Sequence, residues 1–418
     1  MTENNAMKIS ILKNSIQEYA WGSTQAIPEL LGRKNPERKT QAELWMGAHP
    51  KAPSLVQHNG RWVSLPELIA KNPVDLLGKK VAQNFNDQLP YLFKVLAAAK
   101  PLSIQAHPDQ KQAREGFQRE NAQKIPLEAP HRNYRDANHK PECICALTRF
   151  WALSRFRKIS GILAYFEKLN LRQLEVELAD FKNQPTPKGL KRFYTSLMTQ
   201  DMDRQKRIVA DALEQVQGFE SEDPVFKWIL NLAEDYPDDI GVLSPILLNL
   251  ICLEPGQALF LGAGELHAYL AGLGIELMAN SDNVLRGGLT PKHVDVAELL
   301  RVLQFKDRDV ALLKPAASIA NERVYFSPAA EFVLSVITLN SAAIYRSPKN
   351  RSVEILICTR GNLAILDQSD RTETRLPQGA SALVPASVER YTIKGQGTCY
   401  KAAVPLSVDR KRSTEVNG

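Results

Sequence analysis

The stretch Gly256-Gln-Ala-Leu-Phe-Leu-Gly-Ala-Gly-Glu-Leu-His267 can be laid on Gly379-Ala-Ser-Ala-Leu-Val-Pro-Ala-Ser-Val-Glu-Arg390 without a gap. Each reads as a turn, an apolar strand, a second turn and the start of another strand. A unit that recurs in this way points to two related β-barrels, the alternative being a chance likeness between two turn-and-strand units. Arg390 falls where His267 falls, so the second copy lacks a metal-binding side chain that the first offers.

Outward from this pair, residues 7 to 150 read as short, turn-punctuated segments. Buried strands are expected at Leu92-Phe93-Lys94-Val95-Leu96 and at Leu102-Ser103-Ile104-Gln105-Ala106-His107. From Trp151 to Asp239 the period changes. Ile162, Tyr165, Phe166 and Leu169, then Ile208, Ala212, Leu213 and Val216, recur at helical spacing among charged residues. This predicts a helical insertion with Pro185-Thr186-Pro187-Lys188-Gly189 as an internal loop. Strand character returns at Pro245, a helix is expected from Thr290 with Pro291 at its first position, and residues 324 to 404 are again β-rich. Turns are expected there at Gly361-Asn362 and Pro377-Gln378-Gly379. The fold class is therefore mainly β with an α insertion: a first barrel from 1–150 and 240–315, a helical domain at 151–239, and a second, metal-free barrel at 316–418.

The 418 residues are 44% hydrophobic and 24% charged, which excludes disordered and collagen-like classes. A net charge of +7 suits an anionic small molecule without demanding nucleic acid. The basic run Arg410-Lys411-Arg412 reads as a solvated tail. Five cysteines with no CxxC pair argue for a reducing compartment. A polar N-terminus and the absence of any apolar run of about 18 residues point to a cytoplasmic protein without a membrane span.

Gln105 and His107 are two residues apart, so on a strand both side chains face one way. Lys140 and Glu142 stand in the same relation, with Pro141 between them, and His267 follows the Gly256 turn with Tyr269 two residues on. Gln105, His107, Glu142 and His267 together have the donors of a catalytic divalent-metal site: two imidazoles, one carboxylate and one amide oxygen. Taken alone, His107 or His267 reads rather as a satisfied core histidine. His58 and His131 read as surface residues, His49 and His293 as structural or peripheral. The polar run from Glu276 to Lys292 reads as a loop beside a pocket, in which Asp282 either caps or pairs with Arg286. Arg286, Lys292 and Lys140 together can neutralise a phosphorylated ligand.

These residues resemble those of type I phosphomannose isomerases. The matching blocks are Tyr19-Ala20-Trp21-Gly22-Ser23, Ala42-Glu43-Leu44-Trp45-Met46-Gly47-Ala48-His49-Pro50, Leu102 to Pro108, Asn138-His139-Lys140-Pro141-Glu142, His267-Ala268-Tyr269-Leu270 and Met278 to Lys292. Their order covers about the first 300 residues, and the C-terminal part fits more loosely. Leu266 departs from the proline many relatives carry there, and Arg149-Phe150-Trp151 also differs.

The resemblance implies a cupin-class enzyme with a helical insertion and a second, metal-free cupin-like jelly roll. It implies one Zn2+ per chain on Gln105, His107, Glu142 and His267, with Arg286 as active-site arginine. The implied reaction interconverts mannose 6-phosphate and fructose 6-phosphate, moving a proton between C2 and C1 through a cis-enediol. Lys140, Glu276 and a zinc-bound water all remain open as the base. By motif position Ser103 and Lys292 contact the phosphate side and Asp282 belongs to the substrate loop. No obligate protein partner is implied. Two alternatives remain: an Fe(II) cupin dioxygenase, since two histidines and a carboxylate also suit ferrous iron, and a sugar-phosphate-binding cupin without turnover.

Overall fold

The computed structural model describes residues 7–406 and is built on two large antiparallel sheets, one of eleven and one of ten strands. Arg410-Lys411-Arg412 lies outside the described residues. The organising element of the first barrel is the strand His267–Ala279. Its second half pairs with Tyr91–Ala98 on one side and Glu142–Ala146 on the other, while its first half pairs with Phe150–Phe156 and meets Ile104–Ala106. The change of partners follows a register slip between Tyr269 and Ala271, which bends the strand so that one element serves both walls. Tyr91–Ala98 is buried along its whole length, as an apolar run between two neighbours should be.

The second barrel repeats the plan. The strand Tyr391–Ala403, like His267–Ala279, has 13 residues, and it lies between Val333–Leu339 and Glu354–Asp367. The aligned units hold as well: Ala258–Leu261 and Ser381–Val384 are both short strands that enter from a glycine in the left-handed region, Gly256 at φ +86° and Gly379 at φ +80°. The internal similarity is therefore architectural.

Helices run from Ile159 to Leu247, with Ile162, Phe166, Phe181, Phe193, Ile208, Ala212, Val216, Phe226 and Ile229 in one core. Their starts are written locally: Thr186, Asp201 and Asp223 each accept a backbone N–H of the first turn, and Pro187 and Pro224 follow two of these caps. Among the described residues no helix is long and apolar enough to cross a membrane.

Several expectations need correction. Trp151 lies not in the insertion but in the strand Phe150–Phe156, whose ladder to Leu248–Leu253 overrides any helical tendency. Strand structure returns only at Leu248, because Ser244–Leu247 forms one helical turn. Pro187 to Gly189 open a helix instead of forming a loop. The stretch expected to be β-rich holds the helix Gln110–Ala122, marked by an Asp109/Gln112 capping box that hydrophobic periodicity does not register. Thr290 does not cap a helix. Its hydroxyl accepts Lys292 N–H in a turn, and the helix Val296–Val302 starts at Asp295, leaving His293 and Val294 outside it. Gly361-Asn362 is no turn, since Glu354–Asp367 runs through it with a register slip. Finally, Ser10–Lys13 pairs with Ser381–Val384 and so extends the C-terminal sheet, although it precedes residue 150.

Candidate active site

Three distant segments converge on the first barrel. His267 and Gln105 are register partners on antiparallel strands, so their side chains share a face, and Glu142 opens a strand whose far neighbour is Met278. One ligand atom from each of His107, Glu142 and His267 lies within 4.8 Å of the others. His107 Nε2 is 3.2 Å from Glu142 Oε1, and His267 Nε2 is 3.3 Å from Glu142 Oε2. All three residues are at most 1% exposed.

The tautomers are set from behind. His107 Nδ1 donates to the Asn283 carbonyl at 2.8 Å and His267 Nδ1 to the Glu265 carbonyl at 2.9 Å, which leaves each Nε2 as a lone pair facing the carboxylate. Burial also pushes the His107 pKa down to about 4, against the opposing pull of Glu142. Two neutral imidazole acceptors facing a carboxylate in a buried setting are repulsive. His107 Nε2, His267 Nε2 and Glu142 Oε2 indeed have no hydrogen-bond partner. A cation bonded to all three resolves this, and the donor set fits zinc with one or more further positions open. Although burial alone raises the Glu142 pKa, Lys140, 3.2 Å away, and His107 hold its carboxyl well below the usual range.

Glu142 opens on a cavity of about 670 Å³. Ser103, Gln105, Lys140, Glu276, Asp282, Arg286 and Lys292 line the same cavity, so the structure unites these sequence-derived candidates at one place. At the cationic end, Arg286 and Lys292 have no carboxylate within 4 Å among the described residues. Both have pKa values lowered by burial and then by neighbouring positive charge, Arg135 for both and Arg286 also for Lys292. Such uncompensated positive charge is a place for an anion.

Two candidates are differently engaged than expected. Asp282 pairs neither with Arg286 nor with a helix end. Its carboxylate meets Lys51 Nζ at 2.7 Å and His49 Nε2 at 3.4 Å. His49, expected to be structural or peripheral, is buried, lines the cavity and stacks edge-on to Trp45 at 4.8 Å. Glu276 is held by Lys94 Nζ at 2.9 Å, and Lys94 also reaches Glu43 at 3.4 Å, whose other oxygen accepts Trp45 Nε1–H at 2.7 Å. Burial lowers the Lys94 pKa, but its two carboxylates outweigh that and keep it charged. Glu276 is shifted upward, chiefly by burial.

Sequence reasoning missed Lys94 and Glu43. The signal was a lysine in the middle of Leu92-Phe93-Lys94-Val95-Leu96, a run otherwise wholly apolar. Its register partners are Glu276 and Trp45. The polar loop is likewise a built object: Asp136 accepts from Ser281 Oγ and Asp282 N, and the Asn283 side chain accepts from Arg135 N and donates to Asn138 O. Asn283 O then receives His107 Nδ1, so the loop ends on a metal-type ligand.

Residues 9–159 match the catalytic domain of type I phosphomannose isomerase, and residues 168–248 match the helical insertion domain of the same family. A mannose-6-phosphate isomerase from Escherichia coli strain K12 is 41% identical over 391 residues, spanning 92% of this chain and 97% of that protein. The human mannose-6-phosphate isomerase is 34% identical over 417 residues, spanning 91% and 94% respectively. A mutant phosphomannose isomerase from Salmonella typhimurium superposes with a TM-score of 0.89 at 39% identity, covering 96% of this chain and all of that one. A zinc-bound crystal structure of mannose 6-phosphate isomerase superposes at 0.88 with the same identity and coverage. With its catalytic and helical segments matched in order and its length shared almost end to end, the chain belongs to the type I phosphomannose isomerase family.

Proposed function

We propose that the chain interconverts mannose 6-phosphate and fructose 6-phosphate, with one zinc ion on Gln105, His107, Glu142 and His267. The carrying observation is the cluster of unpartnered Nε2, Nε2 and Oε2 atoms beside a cavity that Arg286 and Lys292 also line without a carboxylate partner among the described residues. Bound there, zinc supplies a Lewis acid that polarises a sugar oxygen.

The rest is the work of the chain. The phosphate is met by Lys292, with Ser103 as a neutral donor, and the positive charges of Arg286 and Arg135 beside Lys292 add to the field that draws it. Arg286 stabilises negative charge as it develops on the C1 and C2 oxygens while the cis-enediol forms, a role its always-protonated guanidinium suits. The proton that moves between C2 and C1 is carried by Lys140 or Glu276, both of which line the cavity and can hold and release one. Glu276 has the environment for it: burial raises its proton affinity, and the Lys94 ammonium limits that rise. Asp282, tied to His49 and Lys51, shapes the wall that receives the sugar.

On this reading the catalytic barrel is drawn from 1–150 and 240–315, the insertion from 151–239, and the metal-free barrel from 316–418, adjusted at the edges by the strands noted above. The five free thiols agree with a cytoplasmic setting. The relatives compared above are named as isomerases, which does not favour the dioxygenase or binding-only alternatives.

The test is to incubate the protein with mannose 6-phosphate and assay fructose 6-phosphate before and after chelation and zinc restoration, with His267→Ala in parallel. Zinc-dependent product that the variant fails to make is the expected result. Well-folded, zinc-loaded protein that makes none overturns the proposal.

A further inference from the structure

We infer that the turn from Gly262 to Leu266 acts as a jig for both histidines of the metal cluster, and that Glu265, gripped by Arg155 and Arg308, is the positioning residue that keeps it in shape. This rests on the reading of the triad as a zinc site.

Both imidazole segments hang from this one turn. Gly264 N–H donates to the His107 carbonyl at 2.8 Å, and the Glu265 carbonyl accepts His267 Nδ1–H at 2.9 Å. The turn has to be tight. Gly264 sits at φ +70°, and a Cβ there would come within 2.7 Å of the Val302 carbonyl. Gln304 holds the outer rim, donating its N–H to Gly264 O and its side-chain amide to Ala263 O, both at 3.0 Å.

The Glu265 side chain folds back under the turn and is only 8% exposed. Its Oε2 accepts Gly262 N–H at 2.9 Å and lies 2.9 Å from Arg155 Nε, while Oε1 meets Arg308 Nη2 at 2.5 Å. Arg155 reaches both ends of the turn: its backbone N–H donates to Leu266 O at 2.8 Å and its guanidinium to Phe260 O at 3.1 Å. It does so from a left-handed backbone, φ +58°, which a residue other than glycine adopts only where its surroundings demand it. Arg155, Glu265 and Arg308 do not line the substrate cavity, so they do not meet the substrate directly. In the second barrel the gapless alignment puts Val388 where Glu265 stands and Arg390 where His267 stands, so the clamp and the ligand are absent together.

The experiment measures zinc affinity by chelator competition, zinc release by a chromogenic chelator, and the melting temperatures of zinc-loaded and zinc-free protein. Glu265→Gln is expected to weaken zinc binding and speed its release by about 10–100-fold, and Arg308→Gln by about tenfold. In both the gap between loaded and zinc-free melting temperatures narrows. Arg149→Gln, which breaks an exposed pair with Glu254, leaves all three readouts at wild-type values. Unchanged affinity and release in the two clamp variants overturn the inference, as does an equal drop in both melting temperatures, which marks a merely structural role. If Glu265→Gln fails to fold, Arg308→Gln decides alone, its side chain being 38% exposed. A wild-type protein that takes up no zinc overturns the metal reading itself, whereas a zinc-binding wild type with indifferent clamp variants overturns only the jig.

Discussion

The two barrels share a plan and treat buried charge in opposite ways. In the C-terminal barrel, Lys401 Nζ lies 2.7 Å from Glu322 and 3.2 Å from Glu354, and 3.0 Å from Tyr345 OH. Ser335 donates to Glu322 and Tyr391 OH to Glu354. Each carboxylate thus finds its cation within the chain. In the first barrel, Lys94 does the same for Glu276 and Glu43, but Glu142 and the two imidazoles keep acceptor atoms without partners. An interior that is polar and incomplete costs stability unless something from outside completes it. The difference shows how one architecture makes a closed core in one copy and a receptive site in the other.

The sharpest way to test this contrast is to remove the two buried lysines separately. Lys401→Met and Lys94→Met should each cost about 3–5 kcal/mol of stability by stranding carboxylates, measured by urea unfolding. Only Lys94→Met should also abolish turnover per folded molecule, since Lys94 and Glu276 line the cavity. Loss of turnover in Lys401→Met would show that the second barrel reaches into the chemistry.

Arg286→Gln should lower kcat by about 10²–10³ while leaving zinc content and unfolding midpoint near wild type. A change confined to KM would move Arg286 from stabilising the reaction to binding substrate.

A smaller effect is expected at Asp282. Burial works against its ionisation, yet His49 and Lys51 hold its carboxyl below the ordinary range. A depressed value in the folded state stabilises above the unfolded carboxyl pKa of about 4, and that contribution is lost as pH falls through the folded value. Asp282→Asn should therefore cost about 1 kcal/mol at pH 7, with the deficit shrinking steadily below pH 4 in denaturation curves taken across pH.

The smallest effect is expected from Arg390→His. It restores the histidine to the second copy, but Arg390 is exposed and the aligned turn carries no clamp carboxylate. Metal analysis should still find one zinc per chain. A second equivalent would mean that the second barrel is closer to a metal site than its buried lysine implies.

Spacing alone put Gln105 with His107 and Lys140 with Glu142, because a strand's period of two is a local property of the backbone. Helical periodicity likewise located the insertion, and the gapless alignment revealed the second barrel, since apolar pattern and turn residues are written in the chain itself. Donor chemistry grouped the four ligand-type residues as a possible metal set, and the resemblance to a known family then assigned them to zinc. What no local rule contains is the long-range register that sets His267 opposite Gln105 and Glu276 opposite Lys94. The same holds for the choice of His49 and Lys51 as partners of Asp282, and for the start of the insertion at Ile159, decided by the pairing of Phe150–Phe156. Those contacts join residues far apart in sequence, and their energy exists only once the sheets have closed. The residue types of the site were therefore legible in the sequence, while the unpaired atoms that make it receptive were a product of the fold.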